Sequence, residues 1–319
     1  MKILFMGTPD FAVPSLRALV ESGEEIVGVV TQPDKPKGRS YMLTPPPVKV
    51  FAMEKGLPIY QPKTLRDEEF ATLLLKLDPD MIVVVAFGKI LPKNVLDYPK
   101  YACINVHASL LPLYRGADPI RRCIIDGRKT TGVTIMLMAE GCDTGDMLGH
   151  IDVEITADDN CESLTSKLSE AGANVLIPTL ESWIKGEITP SPQDDSLTCC
   201  APKLSDDEIK LDFTKPACCC ERLVRAANPA PVAETEIGGK VLKVVCAKAL
   251  EEAPAPAVIP EDAPCGYAAV TKKAIFVKCG EGVLQLLTVV PAGKKQMDAA
   301  SLINGRQISC GDILGTSNI

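Results

Sequence analysis

The chain has 319 residues, 46% of them hydrophobic and 24% charged, with a formal net charge of −7. That length points to two domains, and that composition to an ordinary globular protein rather than a fibrous or disordered one. The first 200 residues carry 20 Lys and Arg against 27 Asp and Glu, and the remainder 14 against 14, so the balance argues against a general nucleic-acid binder while allowing a local basic patch.

No segment approaches the ~18 uninterrupted apolar residues of a membrane span. The start, "MKILFMGTPDF", has neither the length of a signal peptide nor the Arg-rich and Ser-rich character of a transit peptide. The thirteen cysteines form no CxxC pair and no regular framework, which suits reduced thiols and a cytoplasmic location. Cys199-Cys200 and Cys218-Cys219-Cys220 are adjacent runs, and adjacent cysteines rarely converge on one tetrahedral ion, so no metal is expected.

In chain order, "KILFMG" (2–7) reads as a buried strand stopped by Gly-Thr-Pro. Apolar residues at helical spacing follow over 10–23, then a β-branched strand over 25–32. This β-α-β start predicts a parallel sheet with crossover helices. Helices are predicted over 46–56 and 67–78. "DMIVVVAFG" (80–88) is apolar on both faces, as an interior strand of a parallel sheet should be. "ACINVH" (102–107) and "TTGVTIMLM" (130–138) are further strands, with 145–155 an antiparallel partner of the latter and a long helix over 162–186.

The texture then turns polar and proline-containing, which marks a linker. A helix over 216–226 precedes short alternating runs punctuated by Gly-Gly and Gly-Glu-Gly, the pattern of a small antiparallel barrel or sandwich. The expected organisation is an α/β Rossmann-like domain over 1–188, a linker over 189–207 and an antiparallel β-barrel domain over 208–319.

Ligands of an open parallel sheet sit at the carboxyl ends of strands. The first such turn, "GTPDF", lacks G-x-G-x-x-G, so a dinucleotide cofactor and a dehydrogenase are poorly supported. "AFGKILP" at the end of the 80–88 strand says little alone. Asn105 and His107 are more informative: side chains alternate along a strand, so both project from one face at its end. An amide and an imidazole so placed suit the oxygen of a carbonyl as it becomes an oxyanion. The plainer reading, a half-buried histidine satisfied by backbone, remains open on the pattern alone. "AEGCDTGDML" offers Asp143 and Asp146 in a loop where Gly141 and Gly145 allow positive φ, and an aspartate there would orient the imidazole. The other histidine, His150, falls in a strand beyond and is read as structural.

Taken together, "CINVHASLLPLYRGADPI" and "TGVTIMLMAEGCDTGDML" resemble the folate-dependent formyltransferases. "MKILFMGTPDFAVPSL", "TQPDKPKGR", "TPPPVKV", "CAPKL", "KLDFTKPA" and "GDILG" narrow the likeness to members acting on methionyl-tRNA, over essentially the whole chain. The resemblance implies 10-formyltetrahydrofolate as formyl donor and the α-amino group of methionyl initiator tRNA as acceptor, with no metal. It implies a catalytic trio of Asn105, His107 and Asp143. Ser109, Leu110, Leu111 and Pro112 would be a folate-contacting loop, and Phe87, Gly88, Ile90 and Leu91 the lining of a pterin pocket. Lys35, Lys37 and Arg39 would meet tRNA phosphates. The second domain would be OB-like, and the protein a monomer. The chain departs from the family at Ser40-Tyr41-Met42, where Gly and lysines are usual, and at Leu113, where a basic residue is usual. It also has Asn228-Pro229-Ala230-Pro231-Val232 in place of Asn-Pro-Trp-Pro-Gly. These departures imply a lower density of basic residues toward tRNA. A formyltransferase with a small amine acceptor, and a binding module that has lost the reaction, are the rival readings.

Overall fold

The computed structural model describes residues 1–37 and 42–315. The chain divides into two compact units, one of Met1–Pro119, Thr130–Glu154 and Thr165–Ala201, the other of Ile120–Lys129, Ile155–Leu164 and Pro202–Ile319.

The first unit begins β1 (Lys2–Gly7), α1 (Val13–Glu21), β2 (Glu25–Val30). The helix predicted over 10–23 is broken near its start. A 3-10 turn at Asp10–Ala12 precedes α1, and Pro14 occupies the first turn of α1, where its missing N–H costs nothing. A hairpin of β3 (Lys35–Lys37) and β4 (Met42–Thr44) follows, in a stretch where the sequence predicts no element. Strands of three residues, one with Pro36 inside it, leave no alternation to detect.

Next come α2 (Pro47–Glu54), β5 (Ile59–Tyr60), α3 (Glu68–Leu77), β6 (Met81–Val85), α4 (Lys93–Leu96) and β7 (Cys103–His107). Asp67 caps α3 by accepting the Phe70 N–H at 2.9 Å. Then follow α5 (Pro119–Ile125), most of which falls in the second unit, β8 (Thr130–Leu137), β9 (Met147–Glu154) and α6 (Cys161–Ile184).

Seven strands pair in the order β5-β2-β1-β6-β7-β8-β9. The five from β5 to β7 are parallel, and β8 and β9 run antiparallel to their neighbours. Strand order reverses between β1 and β6, so a crevice opens outside their carboxyl ends. All five residues of β6 are buried, as an interior strand covered on both faces requires. Leu4, Met6, Ile82, Val84, Phe70 and Leu74 pack one side of the sheet with Cys103 among them. Burial there pushes the Cys103 thiol up to about 12, which keeps it protonated.

In the second unit, α7 (Ala217–Ala227) precedes β10 (Ala233–Ile237), β11 (Lys240–Leu250), β12 (Ala268–Val270), β13 (Ile275–Lys278), β14 (Val283–Pro291), β15 (Met297–Asp298) and α8 (Ala299–Asn304). The strands pair antiparallel in the order β10-β11-β14-β13-β12, with β15 also on β14. Ile313 bridges Tyr267, just before β12, and Leu314 bridges Ile237 of β10, so hydrogen bonding continues between the two outer strands. Val224, Leu242, Val244, Val277, Leu284 and Leu286 form the core of this unit.

Candidate active site

β7 delivers Asn105 and His107 to one point. They pair with Met136 and Thr134 of β8, and their side chains share one partner, Asp143. His107 is buried, and its Nε2 lies 3.0 Å from the carbonyl of Tyr114. A carbonyl only accepts, so Nε2 carries the proton and Nδ1 is the working nitrogen. Nδ1 faces Asp143 Oδ1 at 3.7 Å, and Asn105 Nδ2 points at the same oxygen from 3.5 Å. The other carboxylate oxygen, Oδ2, accepts the Gly116 N–H at 2.9 Å. One oxygen thus anchors the carboxylate and the other turns toward the amide and the imidazole.

The loop that carries Asp143 works differently from the sequence expectation. Neither Gly141 nor Gly145 adopts a left-handed φ; Asp143 itself does, at 52°. The glycines serve close approach. A Cβ on Gly145 would sit 1.9 Å from the Leu137 carbonyl oxygen, and one on Gly141 would meet Thr144 Oγ1 at 2.4 Å. Of the two candidate aspartates only Asp143 meets the pair. His150 is exposed on β9.

The Ser109-Leu110-Leu111-Pro112 loop is pinned to β8. Thr134 Oγ1 donates to the Ser109 carbonyl at 2.7 Å and accepts from the Leu111 N–H at 3.1 Å. Ser109 Oγ donates to the Leu113 carbonyl at 2.6 Å, and Thr198 Oγ1 donates to the Pro112 carbonyl at 2.9 Å. Leu110 lies over Gly132, where a Cβ would be 2.5 Å from its Cδ2.

At the β1/β6 crevice, Thr8 Oγ1 and Gln32 Nε2 both donate to the Phe87 carbonyl, at 3.2 and 3.1 Å. Gly88 follows with φ 79°. Phe87 and Leu91 turn their side chains into the core, whereas Ile90 is 79% exposed. The four residues of this stretch therefore differ: Ile90 offers apolar surface, Phe87 and Gly88 offer backbone.

Beyond Gln32 the chain enters the β3–β4 hairpin. Lys49 Nζ contacts both oxygens of Asp34 at 2.8 Å, and Gln61 Nε2 donates to Oδ1 at 2.8 Å. These bonds hold the Asp34 carboxyl below its ordinary range and fasten the hairpin base. Lys35 is exposed, Lys37 ends β3, and Arg39 lies outside the described residues.

The sequence did not reveal two backbone contributors, the Tyr114 carbonyl and the Gly116 N–H. No side-chain pattern signals a backbone group; the only local hint was the turn-forming Arg115-Gly116 after the apolar loop.

Residues 1–180 match the formyl transferase family, and residues 203–307 match the formyl transferase C-terminal domain. Methionyl-tRNA formyltransferase of Bacillus licheniformis is 46% identical over 315 residues, covering 98% of each chain. The protein of that name from Citrifermentans bemidjiense is 45% identical, covering 99% of this chain and 96% of its own. Among solved structures, an N-formyltransferase from Helicobacter canadensis in complex with folinic acid and dTDP-3-aminofucose superposes with a TM-score of 0.64 at 14% identity, over 93% of this chain and all of that one. HypX from Aquifex aeolicus in complex with tetrahydrofolic acid gives 0.61 at 17% identity, over 95% of this chain and 47% of the longer one. At these identities the superpositions bear on the fold.

Proposed function

The chain belongs to the methionyl-tRNA formyltransferases of the formyl transferase family, and from that premise we propose that it moves a formyl group from 10-formyltetrahydrofolate to the α-amino group of methionyl initiator tRNA. The observation that carries the chemistry is the convergence of Asn105 Nδ2 and His107 Nδ1 on Asp143 Oδ1, at 3.5 and 3.7 Å.

The folate supplies an activated formyl carbon bound to nitrogen. When the amine adds to that carbon, negative charge gathers on the formyl oxygen. Asn105 Nδ2–H and protonated His107 Nδ1–H are the donors aimed at it, each worth typically ~10²–10³-fold in rate. Asp143 Oδ1 accepts the proton that the attacking amine must lose, directly or through one water. The tetrahedral carbon then sheds the folate nitrogen. The proton returns to that nitrogen, so the new N–C bond replaces the old one without net change of charge.

Ile90 and the backbone of Phe87, Gly88 and the Ser109–Pro112 loop are assigned to the folate, its ring against Ile90 and its polar edge on main-chain groups. Lys35 and Lys37 of β3, and Arg39 beyond the described residues, are assigned to the acceptor's phosphates, with the 208–319 domain, read as OB-like, adding contact. The setting proposed is a cytoplasmic monomer; among the described residues no helix is long and apolar enough to cross a membrane.

Formyl transfer from 10-formyltetrahydrofolate to methionyl initiator tRNA tests this, with free methionine and glycinamide ribonucleotide as parallel acceptors. Rapid transfer to the tRNA alone is expected. Transfer only to a small amine would overturn the acceptor while leaving the reaction type in place.

A further inference from the structure

We infer that Gln193 is a positioning residue that holds the Asp143 loop in its reactive geometry; the inference rests on the formyl transfer proposed above. Gln193 lies in the polar segment after α6, with no side-chain pattern to mark it. Its amide is fully engaged. Nε2 donates to the Asp143 carbonyl at 2.9 Å and to the Gly145 carbonyl at 2.7 Å. Oε1 accepts from Arg115 Nε at 2.9 Å. A guanidinium has no acceptor, so the amide has one possible orientation and both its hydrogens must face the loop.

Two features make this clamp matter. Asp143 holds a left-handed φ of 52°, and a non-glycine residue stays in that region only where its surroundings over-determine it. Gln193 grips the carbonyl of that residue and of the one two further on. Second, Arg115 sits between the two backbone groups that orient the site, the Tyr114 carbonyl on His107 and the Gly116 N–H on Asp143. Arg115 is itself fixed by its N–H to the Cys199 carbonyl at 3.0 Å, its carbonyl to the Ala201 N–H at 2.7 Å, and its Nη2 to Asp195 at 2.8 Å. Gln193 therefore ties the loop bearing the carboxylate to the segment that orients the histidine. Without it Asp143 Oδ1 would wander from its two facing groups, and misplacement of about 1 Å can cost ~10²-fold.

The test uses the full chain, with wild type measured first. Its failure to formylate tRNA would count against the acceptor, and loss of formyl to water would then serve as the readout. Gln193→Ala and Gln193→Glu should each lower kcat ~10-fold or more, while KM for 10-formyltetrahydrofolate stays within ~2-fold. Gln193→Glu keeps an acceptor for Arg115 and loses both donors, so near-normal turnover in that variant would overturn the inference. In an Asp143→Asn background the same changes should cost less than ~2-fold, because the group being positioned is gone. Equal losses in both backgrounds would overturn it, leaving Gln193 as a staple of the fold. So would failure of both variants to fold, since the side chain would then support the unit rather than the loop.

Discussion

Asn105 and His107 reach the site on a strand, and Asp143 reaches it on a loop. The strand half is placed by the sheet itself: β7 lies between β6 and β8, its ladder puts both side chains on one face, and the Tyr114 carbonyl then fixes the imidazole. The loop half is held by polar contacts from outside it, the Gly116 N–H on its carboxylate and the Gln193 amide on its backbone, against a strained φ. A donor for an oxyanion must be rigid to be effective. A group that accepts a proton must likewise stay where the amine arrives, and on a loop that hold has to come from contacts outside it. The difference between the halves is one of support as well as chemistry, and variants can separate the two.

The largest effect is expected in the strand half. His107→Ala should reduce formyl transfer ~10²–10³-fold with folate binding little changed, measured as single-turnover rate beside folate KM. A near-normal rate would remove His107 from the chemistry. Asp143→Asn in the loop half should cost ~10²-fold in kcat by removing the proton acceptor while keeping a side chain of the same size. If its loss matched a mere few-fold, the loop half would be electrostatic scenery. Gly145→Ala changes none of the three site residues and attacks only the support. The new Cβ would fall 1.9 Å from a backbone oxygen that cannot give way, so the loop must shift. About 10-fold in kcat and ~1–3 kcal/mol in stability are the expected losses. Unchanged kcat there would show that the loop half needs no fixed geometry.

Smaller effects mark the edges of the comparison. Lys35→Ala touches neither half. It should weaken tRNA use only, lowering the slope of log affinity against log salt by about 0.7–0.9. A change in folate KM would contradict the assignment of the hairpin to the acceptor.

In the second unit, the Arg122 guanidinium and the Ser205 N–H lower the Glu208 carboxyl to about 2. A carboxyl depressed in the folded state contributes stability above its unfolded value of ~4.3, and that contribution fades as pH falls toward the folded value. The Glu208 side chain is 43% exposed, so solvent screening keeps its share to at most about 1 kcal/mol, or ~2–4 °C in Tm. Glu208→Gln should therefore melt slightly below wild type at pH 7, with the gap closing between pH ~4 and ~2. An equal gap at both ends of that window would show that the ion pair is not its source.

The chain by itself determined what depends on short-range regularity. Alternation along 102–107 was enough to put Asn105 and His107 on one face, because strand geometry repeats every two residues whatever surrounds it. An unbroken apolar run was enough to make 81–85 an interior strand. Tertiary structure alone decided what depends on partners distant in sequence. It chose Asp143 over Asp146, since the choice is made by the Gly116 N–H 27 positions away. It put the strain on Asp143 and left Gly141 and Gly145 to make room, because which residue of a loop turns left-handed follows from what each end must touch. It paired 35–37 with 42–44, segments too short and too proline-broken to show a period. And it brought Gln193, 50 positions from Asp143 in a stretch of linker-like texture, to the backbone of the site. A side chain that acts by gripping backbone leaves no periodic trace, and only the packed chain shows what it holds.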